Sequence, residues 1–567
     1  MHVAKIERRH GDRVYTSYLV RRSVREGKKV RHVTVANISR LPLPAIELLR
    51  RALAGETLLG ADEAFRVERS LPHGHVAAVV AMAKTLELPR LLDRSPSPER
   101  QRALAMIVQR VLEPGSKLAC TRALAQSTLA GELGVEGADA DDLYAALDWL
   151  GERQERIEAR LARRHLQEGT LVLYDVSSSY FEGRTCPLGA RGHSRDRRRG
   201  SLQIVYGLIC EPEGRPVALE VFPGGVHDDK TLLAQLERLR RRFGLERLVL
   251  VIDRGMVTKA NLEALAAEDG VGWISALKAP QVKRLVKEGS LQLSLFDELN
   301  LAEIESPDYP EERLLVCRNP LVASERARKR EDLLQATEAL LQPIAERVRA
   351  GTLQGAAAIG LAVGALVNRR KMKKHLELTI ADDRFAYRRN EAQIAEEAAL
   401  DGFYVLRTNV PAAELSAPEV VRSYKALAHA ERAFRTLKGP ELELRPIHHR
   451  LERRVRAHAF LCLLSYYLEW HLRQAWAQLL FDDERPPLAQ DPVAKAQRSP
   501  AAKRKASRQR TATGEVCHSF PSLLGELALV VRSRNRVPKS DASFDTTTDP
   551  TPLQARAFEL VGLKTPA

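Results

Sequence analysis

Two runs of apolar residues in this chain each stop at an aspartate. Leu171-Val172-Leu173-Tyr174 is closed by Asp175, and Leu248-Val249-Leu250-Val251-Ile252 by Asp253. Continuous apolar runs of this length predict strands buried on both faces. Around them strand and helix patterns alternate. Strands are expected at 170–175, 203–209, 216–222, 247–252 and 272–277, with helices over Asp228 to Arg242 and Thr258 to Ala267. Three neighbouring strands are followed by a crossover helix to a fourth. A further strand is expected at Gly402 to Arg407 and then a helix. At about 100° per residue, Tyr424, Leu427, Glu431, Phe434 and Lys438 share a stripe roughly 80° wide. That stripe predicts an inward-facing Glu431 among Leu427 and Phe434. On position alone, a surface glutamate paired with Arg435 four residues on fits equally well.

The remaining pattern divides the chain. Residues 1–70 read as a small β-rich module, with partial alternation at 13–20 and 30–35 and a turn at Arg25-Glu26-Gly27-Lys28. Its outward positions are heavy in Arg and Lys, which suits either a DNA-contacting sheet or a solvated hairpin face. Residues 71–168 read as helical. Ser97-Pro98 is a helix start and Asp141-Asp142 a cap. The basic segment Arg160, Arg163 and Arg164 would suit a DNA-end-binding helix-turn-helix, although helical packing without DNA gives the same pattern. Residues 169–278 and 401–480 form two parts of an α/β core. Residues 279–400 read as an insertion, with a long charged helix over 324–349 broken or kinked at Pro343. Its run Asn368 to Lys374 beside Phe385 and Tyr387 suits nucleic-acid contact. Residues 481–567 read as a flexible basic linker around Lys503-Arg504-Lys505 and a short C-terminal segment.

Length and charge narrow the classes. At 567 residues, 44% hydrophobic and 29% charged, this is a globular chain of several domains. A formal charge of +16 points to a polyanionic partner, DNA or RNA first, because Lys and Arg displace counterions from phosphates. An acidic membrane surface is the alternative that charge alone leaves open. The 6 cysteines are scattered and form no C-x-x-C pair, which argues against a disulfide scaffold or a structural zinc. The start Met1-His2-Val3-Ala4-Lys5 lacks the apolar core of a signal peptide. The apolar stretch Ala356 to Val367 falls short of the roughly 20 residues that cross a bilayer. A cytoplasmic protein is expected. No G-x-x-x-x-G-K-[ST] run suggests a P-loop motor.

The candidate chemistry is that of three carboxylates. A carboxylate beside a buried strand is costly unless its charge is compensated. For three meeting at one point, a divalent metal is the simplest compensation, and two metals make a phosphodiester-cutting site. His227-Asp228-Asp229 precedes a helix, so Asp228 reads as an N-cap rather than a metal ligand. His448-His449 has no second-ligand spacing and reads as structural.

Several segments together resemble a known family: Tyr174 to Gly183, Gly192-His193-Ser194-Arg195-Asp196, Val251-Ile252-Asp253-Arg254-Gly255-Met256, and Tyr424 to Lys438. Tyr424, Glu431 and Lys438 repeat at seven-residue spacing. The chain resembles a DDE transposase of the IS4-like superfamily, most closely the IS1634-type insertion sequences, over about residues 1 to 475. The resemblance implies an α/β fold: a ribonuclease H-like catalytic core with a large insertion, preceded by a small β module and a helical domain. In that arrangement the first and fourth strands lie side by side, which would make Asp175 and Asp253 neighbours. It implies catalytic and metal-holding roles for Asp175, Asp253 and Glu431, two Mg²⁺ ions (Mn²⁺ as substitute), and DNA contacts from Tyr424, Arg435, Lys438, Arg195 and Arg254. Core packing is the competing role for Tyr424 and solvation for Lys438. The implied partners are transposon terminal inverted repeats and target DNA, with a dimer in the synaptic complex, no membrane, and a cytoplasmic, nucleoid-associated location. The broad IS4-like pattern has Arg where this chain has Leu427, so no phosphate contact is carried over there. The competing readings are a ribonuclease H-like nuclease without strand transfer and a non-catalytic DNA-binding protein derived from a transposase.

Overall fold

The computed structural model describes residues 1–56, 65–183, 185–196, 198, 200–296, 299–538 and 542–564. The chain forms two compact units, Met1–Leu71 with Val531–Thr548, and Pro72–Val530 with Asp549–Ala567.

The first unit opens with an antiparallel sheet of β1 (His2–His10), β2 (Arg13–Glu26) and β3 (Lys29–Asn37), β2 in the middle. Gly11 and Gly27, at φ of 61° and 64°, make the two tight turns, a region open to glycine at no steric cost. A helix, Leu43–Leu53, buries Ile46, and β4 (Arg66–Pro72) follows.

The second unit is mixed α/β, built on a large mixed sheet. Its strands are β5 (Thr170–Tyr180), β6 (Gln203–Cys210), β7 (Pro216–Pro223), β8 (Leu248–Ile252), β9 (Val271–Ala276), β10 (Leu301–Ile304) and β11 (Arg313–Arg318). A separate hairpin, β12 (Leu376–Ile380) with β13 (Phe385–Arg389), precedes the last sheet member, β14 (Phe403–Thr408). The order across the sheet is β10-β11-β14-β9-β8-β5-β6-β7. β5, β8 and β9 are parallel, whereas β5-β6-β7 is an antiparallel meander. Thus β10 and β11, expected inside an insertion, extend the sheet edge beside β14. The rest of 320–398 has its own apolar cluster, including Leu334, Leu341, Ile359, Val363 and Phe385. Its first helix, Pro320–Arg349, runs unbroken through Pro343, so the expected break is absent.

Helices of 74–165 form a layer held by the helix Glu452–Ala475, which packs on Pro98–Leu112, Ala140–Glu152 and β7. It is buried nearly all round, as its lack of a polar face requires. Arg160 and Arg164, expected on a DNA-binding face, instead donate to the carbonyls of Arg90, Leu91 and Leu86. The expected flexible linker contains a helix, Pro500–Arg508, capped by Ser499. Its Lys505 is buried and donates to the carbonyls of Ala477 (2.8 Å) and Leu480 (3.2 Å) and to Glu484 (2.6 Å). Composition read this segment as solvated, but one lysine satisfying several orphan carbonyls orders it. Finally β15 (Val531–Arg536) and β16 (Ser543–Thr547) join β4 in the second sheet of the first unit. Among the described residues, no helix is long and apolar enough to cross a membrane.

Candidate active site

Strand register brings the first two acids together. β5 and β8 pair in parallel with Tyr174 opposite Ile252, so Asp175 and Asp253 both come one residue after that pair. Asp175 does not end its strand, as its place after an apolar run suggested. β5 continues to Tyr180 through the buried Ser177, Ser178 and Ser179. Asp253 lies just past β8, and its Oδ2 accepts the Gly255 N–H at 3.1 Å. Asp175 accepts the Val176 N–H at 2.8 Å.

The electrostatics of Asp175 are unusual for a carboxyl. Burial pushes its pKa up to about 7, the Val176 N–H and Arg195 oppose the rise, and the charges of Asp253 and Glu431 add to it. A carboxylate disfavoured by desolvation and by like charges is one that a nearby cation would stabilise. The donor set is all oxygen, which suits a hard divalent ion. The residues therefore fit Mg²⁺ in chemistry. Among the described residues, however, no three acidic, His or Cys side chains are spaced to chelate one ion.

Glu431 accounts for that opening. It sits on the helix Leu427–Lys438, which packs on β5, but its side chain is exposed rather than inward-facing. The helix buries Leu427, Ala430, Ala433, Phe434 and Leu437 and leaves Glu431 on the rim of that apolar face. The expected single stripe is also interrupted. Tyr424 belongs to a separate helix, Ala417–Lys425, and Ala426 joins the two. Tyr424 is half-buried and still faces the acids: burial first, then Asp253, Glu431 and Asp175, push its phenol up to about 12, and Arg254 opposes them.

A fourth carboxylate, Asp228, belongs to this cluster. It caps no helix, contrary to the sequence reading. Instead its side chain pairs with Arg195. A Cβ placed on Gly255 would lie 3.3 Å from Asp253 Oδ2 and 3.7 Å from Asp228 Oδ2, so the two carboxylates face one point. Arg195 thus neutralises Asp228 while its field also reaches Asp175. Arg254 and Arg435 are exposed.

Lys438 is held by the protein. Its Nζ donates to Ser177 Oγ (3.0 Å) and the Ser178 carbonyl (3.1 Å) and pairs with Asp196 (3.1 Å). Asp196, with a side chain 2% exposed, also pairs with Arg445 and accepts the Tyr180 N–H at 3.0 Å. Burial pulls the Lys438 ammonium below its ordinary range while Asp196 pulls it back up. This knot ties β5, the loop through Asp196 and the Glu431 helix together. Sequence reasoning quoted Asp196 within a motif but gave it no role. The three serines after Val176 were the available signal, since polar residues inside a buried strand need partners.

The family model described as Transposase DDE domain matches residues 169–468, more than half of the chain and all of the elements just described. This chain belongs to the DDE transposase family. The transposase is therefore an enzyme that cuts DNA and transfers the cut strand. Residues 3–64 match a second model, the IS1634 family transposase N-terminal domain. No curated protein matches the sequence. Among solved structures, the transposase is similar to one described as a piggyBac transposase synaptic complex with hairpin DNA. Identity is 8% and the TM-score 0.34, over 80% of this chain and 76% of that one. That likeness is too distant to bear on the site.

Proposed function

We propose that Asp175, Asp253 and Glu431 are the catalytic carboxylates of a ribonuclease H-like core. It cleaves DNA at the ends of an IS4-like, IS1634-type insertion sequence and joins those ends to target DNA. The observation that carries this reading is the placement of Asp175 on β5 and of Asp253 just past the adjacent parallel strand β8, with Asp175 held near pKa 7 by burial and by its acidic neighbours. The carboxylates would hold two Mg²⁺ ions, with Mn²⁺ as a substitute. Bound metal supplies Lewis acidity at the scissile phosphate and lowers the pKa of the attacking hydroxyl.

The chain's own groups do the rest. Asp175 and Asp253 fix one wall of the site on the rigid sheet. Glu431, on the rim of its helix, closes the other wall when its side chain turns inward. Arg195, Arg254 and Arg435 offer cations to the DNA backbone, and Tyr424 lines the approach to the acids. Lys438 positions the Glu431 helix on β5 through Ser177, Ser178 and Asp196 rather than reaching DNA itself. Joining two element ends requires at least a dimer during reaction, in the cytoplasm and at the nucleoid.

The test separates the two chemical steps. Asp175→Ala, Asp253→Ala and Glu431→Ala are each assayed for cleavage of element ends and, with pre-cleaved ends, for joining to a plasmid. All three are expected to lose both steps. Near-normal activity of any one removes that residue from the site. Cleavage without joining in the parent protein would favour a nuclease instead.

A further inference from the structure

The sheet β1-β2-β3 has two unlike faces. Residues paired across strands share a face, and alternation along β2 sorts the rest. Arg13, Arg21 and Arg25 lie on one face of β2. Register adds Arg8 opposite Tyr15, His10 opposite Arg13, and His32 opposite Ser23. The register shift near Val20 leaves the extra residue on β3, so the alternation of β2 is kept. No carboxylate falls on this face. Of the three acids in residues 1–37, Glu7 and Glu26 lie on the other face and Asp12 in a turn. Among the described residues, only Lys5 and Arg31 of the basic side chains in 1–37 have an acidic partner.

The sheet also narrows along its length. β1 pairs with β2 only as far as Arg21, so Arg22–Glu26 and Lys29–Val33 continue as a two-stranded ribbon about 15 Å long. Every residue of β3 is exposed, and apart from a partly covered Val24 so is the facing stretch of β2. Ser23 Oγ lies 3.0 Å from His32 Nδ1, and the His2 ring meets the His32 ring edge-on with centroids 5.5 Å apart. A B-DNA major groove, about 12 Å wide, admits a two-stranded ribbon. Arg13 and Arg25 are separated by roughly 40 Å along β2, a little over one helical turn of DNA.

We propose that this ribbon enters the major groove of the element's terminal DNA with its acid-free face toward the base edges. Arg25 and His32 read bases, while Arg8 and Arg13 hold phosphates further along the duplex. The proposal rests on the transposase reading only for its choice of DNA. It is tested without metal, so catalysis does not enter the readout.

The experiment measures binding of the full chain, in EDTA, to a duplex of the element's end and to an unrelated duplex of equal length, across a salt series. All six side chains to be changed are exposed, so folding is not at stake. The double variant Arg25→Ala with His32→Ala is expected to bind the end duplex about ten-fold or more weakly and the unrelated duplex almost unchanged. Arg8→Ala with Arg13→Ala is expected to weaken both duplexes alike and to make the log–log salt slope shallower by about two. Arg22→Ala with Lys29→Ala, on the opposite face, is expected to change either affinity by less than about three-fold. Unchanged discrimination in the Arg25/His32 variant overturns the proposal, as does an opposite-face loss equal to that of Arg8/Arg13. A failure of the catalytic reading would appear instead as cleavage by Asp175→Ala, with these binding results untouched.

Discussion

β6 and β3 are strands of similar length with opposite fates. Every residue of β6 is buried between layers, whereas every residue of β3 is exposed. β6 lies beside the strand that carries Asp175, and its burial holds that strand still. β3 is kept extended by its ladder to β2 and spends no side chain on a core. The contrast separates two demands on one chain: metal-assisted chemistry needs a wall that does not move, while groove reading needs cations and polar groups left free in water. On the proposed readings, rigidity is concentrated where bonds would be cut, and open surface where sequence would be read.

That division can be broken in several places. The largest expected effect is on turnover: Asp175→Ala or Asp253→Ala should lower cleavage by about a thousand-fold or more while metal-free DNA binding stays at the parent level. A matched loss of binding in a gel-shift titration would mean that the two functions share residues. Next comes the ionic knot. Asp196→Ala strands Lys438 and Arg445 in a poorly solvated place and should cost about 3 kcal/mol in urea unfolding. Asp196→Asn, which keeps hydrogen-bonding capacity, should cost less.

Packing follows. Leu208→Ala on β6, from a fully buried position, should cost about 2–4 kcal/mol. The same unfolding curves should show Val33→Ala on β3, which is 46% exposed, changing stability by no more than about 0.5 kcal/mol. Equal costs for the two would erase the contrast between the strands. A smaller effect is expected from pH. Burial pulls His75, His165 and His449 down to about 4 and His471 to about 3. The unfolded chain takes up these protons below about pH 6.5 and the folded chain does not, so stability is present above that pH and falls as pH drops toward 4. The urea midpoint of the larger unit should therefore be lower at pH 5 than at pH 7.5. Asp175, raised to about 7, gains stability over the same interval and opposes part of the fall, so the check is made in Asp175→Ala. A midpoint that does not move there would contradict the neutral state of these half-buried rings.

The parts legible in the sequence were those set by local pattern. Two apolar runs gave β5 and β8, and the resemblance to a ribonuclease H-like arrangement put Asp175 beside Asp253. What stayed hidden depended on distant partners. Ser177 to Ser179 read as the end of a strand because they are polar. They are strand because Tyr206 reaches Ser179 at 2.6 Å and Lys438 reaches Ser177. Tyr424 and Glu431 read as one helix because Ala426 and Leu427 are good helix formers. Packing against different parts of the sheet splits them, and the phase assigned to Glu431 was lost with the split. Asp228 read as a cap because it precedes a helix, but Arg195, from a loop remote in sequence, takes its side chain. Lys505 read as solvated for the same reason: the carbonyls it satisfies belong to another segment.

The claim that everything else depends on is that Asp175, Asp253 and the exposed Glu431 bind metal at one place. Iron-mediated cleavage tests it most directly: Fe²⁺ replaces Mg²⁺ on the DNA-bound protein, and ascorbate with peroxide generates radicals that cut the nearby backbone. Three cuts are expected, in β5 around Asp175, in the turn at Asp253, and in the helix Leu427–Lys438, all suppressed by excess Mg²⁺. Cuts at the first two segments with an intact Leu427–Lys438 helix would show that Glu431 never joins the site and would contradict the account.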